Sequence, residues 1–175
     1  GFDKWQDVRG TMQFWSIVNE AAYVAIPQRS TLAELVPKAE YWNPAWQDIV
    51  VIFDYTYHKG ADRNISFWFQ DTLNWYEVHF VAGQLHLSHI QNGWVVWQHS
   101  QSYELWGGYP RKVELHLNAG HIVMIIDGEE IINQVDPTFN NSYGSIPLKA
   151  GACSAFPTQT TYETVARCDY HQSHA

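Results

Sequence analysis

The sequence predicts an all-β protein built from two packed antiparallel sheets. Three observations carry that expectation. Stretches of seven to eleven residues with period-two alternation recur along most of the chain. Tight-turn dipeptides separate several of them, including Asn92–Gly93, Ala119–Gly120 and Asp127–Gly128. Segments with helical period, which parallel strands need as crossovers, are almost missing.

Taken in order, the expected strands are Gly10–Val18, Ala21–Pro27, Asp48–His58, Asn64–Asp71, Asn74–Val81, Gln84–Ile90, Trp94–Ser100, Arg111–Asn118, His121–Gly128, Glu129–Val135 and Thr160–Asp169. Each is rich in β-branched and aromatic residues, which fit a pleated, half-buried surface. Ser30–Lys38 is the one helical candidate: Thr31 and Glu34 have capping-box spacing before a Leu pair, and Pro37 stops it. Pro147–Thr160 reads as the longest irregular piece. No linker-like stretch or repeat divides the 175 residues, so residues 1–175 are expected to form one domain.

Composition narrows the function. Nine Trp, ten Tyr and eight Phe stand against only 16% charged residues, below the roughly 25% usual in soluble domains. So much aromatic surface belongs in a core, an interface or a ligand platform. A formal charge of −8 with ten Lys and Arg is the opposite of a nucleic-acid footprint, so no nucleic-acid partner is expected. No apolar run approaches the roughly 18 residues of a membrane span. Cys153 and Cys168 are expected to form a disulfide, worth roughly 3 kcal/mol on the chain-entropy model; with the Lys-poor composition this points to an exported protein, secreted or at the cell surface. No signal peptide is visible at Gly1. The Asn-x-Ser matches at Asn64 and Asn140 are too common by chance to decide anything.

Sorting each strand by alternation gives two kinds of face. One is apolar: Phe53 and Tyr55; Ile65, Phe67 and Phe69; Tyr76, Val78 and Phe80; Leu85 and Leu87; Val113, Leu115 and Leu117. The other carries Trp68, Gln70, Trp75, Glu77, His79, His86, Glu114 and His116. Flat rings beside hydrogen-bonding groups suit sugars, whose apolar ring faces stack and whose hydroxyls need polar partners. These eight residues are therefore the expected ligand-binding set, with Trp68 and Trp75 as stacking platforms and an oligo- or polysaccharide as partner. Cross-strand pairing of the same residues would also stabilise a sheet without any ligand.

The stretch DIVVIFDYTYHKGADRNISFWFQDTLNWYEVHFVAGQLHLSHIQNG resembles the concanavalin A-like lectin and glucanase superfamily. The later RKVELHLNAGHIVMIIDGEEIINQVD and YGSIPLKAG, with their "IDG" turn, extend the likeness across roughly Gly10–Arg167. It is most similar to laminin-G-like jelly rolls and the 3-keto-disaccharide hydrolase-type domain. The resemblance implies a jelly-roll sandwich with a glycan on its concave sheet. It also implies that a structural Ca2+ is to be looked for near the chain ends, where Asp3, Asn19, Glu20 and Asp169 offer oxygen ligands.

A non-catalytic lectin-like module is thus the leading expectation. A glycoside hydrolase or polysaccharide lyase would need two carboxyl groups flanking one bond, and Glu77 with Glu114 is the pair alternation offers. The E-x-D-x-x-E strand of the laminarinase-type branch is not matched. A zinc site from His79, His86 and His116 lacks short ligand spacing. A third expectation is a structural or adhesive module of an extracellular assembly, with Trp5, Trp42, Trp46 and Trp106 at contacts with other domains or subunits.

Overall fold

A computed structural model describes residues 1–26, 31–43, 45–59, 63–140, 144–152 and 158–170; for Thr31, Lys59 and from residue 150 onward it describes the backbone alone. The strands in chain order are β1 (Trp5–Asp7), β2 (Trp15–Val18), β3 (Ala21–Ile26), β4 (Thr31–Pro37), β5 (Asp48–Lys59), β6 (Arg63–Asp71) and β7 (Asn74–Val81), followed by β8 (Gln84–Gln91), β9 (Trp94–Ser102), β10 (Arg111–Asn118), β11 (His121–Ile126), β12 (Glu129–Val135), β13 (Leu148–Ala152) and β14 (Thr158–Tyr170). A 3₁₀ turn, Met12–Phe14, precedes β2.

Turn chemistry sets much of this order. Ala82–Gly83, Asn92–Gly93, Ala119–Gly120 and Asp127–Gly128 each hold two consecutive residues at positive φ. That is the mirror-image turn whose twist matches the strands it joins. Asn19–Glu20 makes the same turn between β2 and β3 without a glycine, which is why the sequence does not announce it.

Two layers result. One is a seven-stranded sheet in the order β12-β11-β10-β5-β14-β3-β2; the other combines β1-β4-β13 with β6-β7-β8-β9. These last two sheets are joined by an isolated bridge in which Phe69 and Ser145 exchange both backbone hydrogen bonds at 2.8 Å. A side chain at Gly144 would overlap the Phe69 carbonyl, so the seam closes only because that position is bare.

The inner faces meet in one core. Val51, Phe53, Val113, Leu115, Leu117 and Met124 from the first layer pack with Leu35, Phe67, Tyr76, Val78, Phe80, Leu85 and Leu87 from the second. Burial of each such side chain contributes about 1.5–3 kcal/mol. A polar tie also crosses the core. Tyr76 donates its hydroxyl to Asp136 Oδ2 at 2.5 Å, and His89 Nδ1 lies 3.0 Å from the same oxygen. The two rings stack at 4.2 Å, nearly parallel. Asp136 follows β12, so this tie links the edge of one layer to the middle of the other.

Four expectations change. Of the expected strand Gly10–Val18 only Trp15–Val18 is a strand, and Met12–Phe14 forms the 3₁₀ turn before it. Ser30–Lys38 is not a helix: its core is β4, held between β1 and β13, because Ala33 and Leu35 alternate into the core. Within Pro147–Thr160, expected to be irregular, lie β13 and the start of β14, while residues 153–157 are outside the described residues. Trp68 does not stand on an outer face. The ladder between β6 and β7 shifts register between Phe67 and Asp71, and Trp68 adopts φ 43° there. Such a bulge breaks period-two alternation and turns the indole inward, where it is 1% exposed and packs against Phe67, Tyr76 and Phe139.

Candidate functional site

The outer face of β6–β9 is the polar surface that the alternation foreshadowed. Register places Asn64, His79, His86 and Ser100 in one row across the four strands. Ser66, Glu77, Ser88 and Gln98 make the next row. Trp75, Ile90 and Val95 form a third. Local hydrogen bonds fix several of these groups: His86 Nδ1 lies 2.7 Å from Ser100 Oγ, and Gln98 donates to Ser88 Oγ at 2.9 Å.

Glu77 is the most constrained residue of the face. Its Oε2 accepts hydrogen bonds from Asn64 Nδ2 at 2.6 Å and Trp75 Nε1 at 3.2 Å, and Lys149 Nζ stands 3.4 Å away. Its Oε1 accepts no hydrogen bond among the described residues, so one oxygen is anchored while the other can serve a ligand. Asn64 is itself held by Ser66 Oγ at 2.8 Å. Burial alone would push the Glu77 carboxyl up; the Lys149 ammonium, the bonds from Asn64 and Trp75, and nearby His79 together hold it below the usual range.

Lys149 comes from β13, across the seam. It is 4% exposed, and its ammonium lies 4.3 Å from the centre of the Trp75 ring, a cation–π contact. Its register partner on β4 is Glu34, whose Oε1 accepts from Arg9 Nε at 3.1 Å. Glu34 is fully buried, and its Oε2 has no hydrogen-bond partner among the described residues. Burial therefore outweighs Lys149 and Arg9 and raises the Glu34 carboxyl above its ordinary range.

Of the eight expected ligand-binding residues, the structure brings Trp75, Glu77, His79 and His86 together. Gln70 lies past the bulge at the exposed end of β6. Trp68 is in the core. Glu114 and His116 belong to β10, in the other layer, on its outer face between the buried Val113, Leu115 and Leu117; they make their own contact at 3.4 Å. Glu77 and Glu114 thus face away from each other across the sandwich and cannot flank one glycosidic bond. For the same reason His79, His86 and His116 cannot share a zinc ion. Alternation assigns a residue to a face of its strand, not to a sheet, and that is the source of the error.

Glu34 and Lys149 are the residues the sequence reading missed. The signal for Glu34 was the alternation of Ala33, Glu34, Leu35 and Val36, hidden by the capping-box spacing. Among the remaining expectations, Trp42 is buried and packs edge-on against Trp46 at 5.1 Å, whereas Trp106 is 66% exposed. Asn64 is buried, which a glycosylated asparagine is not. Cys153 and the Cys168 side chain lie outside the described residues, as does the side chain of Asp169. Among the described residues no group of three or more His, Cys, Asp or Glu stands close enough to hold a metal ion, and no helix is long and apolar enough to cross a membrane.

Layers, hairpins and the jelly-roll order define the chain as a concanavalin A-like β-sandwich. Solved structures share that fold at low identity. A carbohydrate-binding module CBM66 from Bacillus subtilis matches with a TM-score of 0.66 at 15% identity, covering 91% of this chain and 92% of the other. The alginate lyase A1-II′ matches with a TM-score of 0.62 at 11% identity, covering 97% and 96%. The galectin LEC-6 from Caenorhabditis elegans matches with a TM-score of 0.53 at 10% identity, covering 81% and 94%. No protein-family model matches the chain, and no curated protein matches it by sequence.

Proposed function

We propose that this chain binds a glycan non-covalently on the outer face of β6–β9. The observation that carries the reading is the anchoring of Glu77: three groups hold Oε2, and Oε1 is left to accept a sugar hydroxyl beside Trp75, His79 and His86. A carboxylate fixed in this way needs no reorganisation when a hydroxyl arrives, and a hydrogen bond to a charged acceptor contributes about 1.5–3 kcal/mol. Its fold relatives include a carbohydrate-binding module, galectins and alginate lyases. Glu34 is too deeply buried to reach a scissile bond, which favours binding over hydrolysis. The reading also places the protein outside the cell, where a Cys153–Cys168 disulfide would form and where polysaccharide and other domains or subunits of an extracellular assembly are its partners.

Affinity electrophoresis through gels containing single polysaccharides tests it. A retarding polysaccharide should release both Glu77→Gln and His86→Ala, with mobility returning towards that of the glycan-free gel, while Glu114→Gln on the opposite layer stays retarded. Equal loss in Glu114→Gln would move the site to the other sheet.

A further inference from the structure

We infer that the glycan is an uncharged one, an inference that rests on the binding face proposed above. A uronate or sulfate ester needs a cation whose donors point at the ligand. Among the described residues three cations are tied to this layer's carboxylates, and all are engaged. Arg63, which pairs in register with the core residue Phe80, bonds Glu104 Oε1 at 3.0 Å and the Leu105 carbonyl at 2.8 Å. Arg9 is bonded to Glu34 on β4, and β13 and β6 lie between that strand and β7, about 14 Å at the usual strand spacing. Lys149 does reach the face, but it is 4% exposed, bridged to Glu77 and covered by the Trp75 ring. It acts as a buried counter-ion that sets Glu77, a positioning residue rather than a ligand contact.

What remains exposed to a ligand is one carboxylate oxygen, Glu77 Oε1, among amide, hydroxyl and imidazole groups. With Nδ1 of His86 engaged by Ser100 Oγ, Nε2 is the ring nitrogen left for a ligand on the strand next to Glu77. An acceptor and an imidazole on adjacent strands suit two hydroxyls of one sugar. A second carboxylate brought to Glu77 Oε1 would meet like charge in a chain that already carries a formal −8.

The test is a binding panel at pH 8, with the whole chain and low salt. The neutral probes are a β-1,3-glucan, a galactan, a mannan and an arabinoxylan; the anionic probes are alginate, polygalacturonate and heparin. Retardation by at least one neutral polysaccharide, and at least tenfold weaker interaction with all three anionic ones, is the expected result. Glu77→Gln should weaken the neutral complex tenfold or more. Binding of alginate, polygalacturonate or heparin as strong as that of any neutral probe overturns the inference while leaving glycan binding standing. Binding to none of the seven overturns the glycan reading itself, and this inference with it.

Discussion

Lys149 and Glu77, 72 residues apart, meet at 3.4 Å across the seam between β13 and β6. The contact joins two sheets that, among the described residues, share one isolated bridge, and it aligns the carboxylate on which the binding face depends. Removing one member of a buried pair leaves the other charge uncompensated and typically costs about 3–5 kcal/mol. Lys149→Met should therefore lower stability by about 3 kcal/mol in urea unfolding. Adding Glu77→Gln to that variant should restore part of the loss, because the stranded charge is gone. A double variant no more stable than Lys149→Met would show that the pair is not the source of the effect.

The two central tryptophans should part company. Trp68 is core, so Trp68→Ala should cost about 3–5 kcal/mol through cavity formation. Trp75 is half-buried and covers Lys149; Trp75→Ala should cost about 1–2 kcal/mol, within the range for a partly desolvated cation–π contact, and weaken glycan binding. Thermal melts and affinity gels on the same two proteins check both halves of this expectation.

Closure of the seam should depend on one bare backbone position. In Gly144→Ala the new methyl group meets the Phe69 carbonyl, and the backbone must shift to admit it. A loss of about 1–3 kcal/mol is expected, accompanied by faster hydrogen exchange at the Phe69 and Ser145 amides. Unchanged exchange at both would contradict the bridge.

Acid should weaken the fold through His89. Burial, stronger than the opposing pull of Asp136, holds His89 below its ordinary value of 6.5. The unfolded chain then binds a proton at a pH where the folded one does not. Stability from this residue is complete above about pH 6.5 and is lost as the pH falls towards the depressed folded value. Glu77, also depressed, adds a second loss below about pH 4.5. Glu34 has the opposite sign: raised by burial, it favours the fold below its ordinary range and loses that contribution as the pH rises through its folded value. Melting temperature against pH should fall between pH 7 and 5.5, and His89→Gln should flatten that limb. An unchanged slope in His89→Gln would assign it elsewhere.

The fold was legible because hairpin turns and alternation are local signals. Leu85, Leu87, Val113, Leu115 and Leu117 reached the core as their period implied, and the Gly-containing turns fell where the dipeptides put them. The site was legible only in part. Glu77, His79 and His86 emerge from two consecutive strands, whose pairing follows from one Ala82–Gly83 turn. Glu114 and His116 share their pattern, yet no local feature tells which layer β10 joins. Trp68 defied alternation because a bulge shifts the ladder at that point. Glu34 and Lys149 stayed hidden because their meaning comes from long-range pairing of β4 and β13.

Assignment of the indole N–H resonances gives the most direct measurement. Titration with a retarding polysaccharide should shift the Trp75 Nε1–H signal, since that proton is bonded to Glu77 Oε2, and leave the core Trp68 and the distant Trp106 signals in place. A saturable complex in which Trp75 does not move while Trp106 does would place the glycan elsewhere and contradict the proposed face.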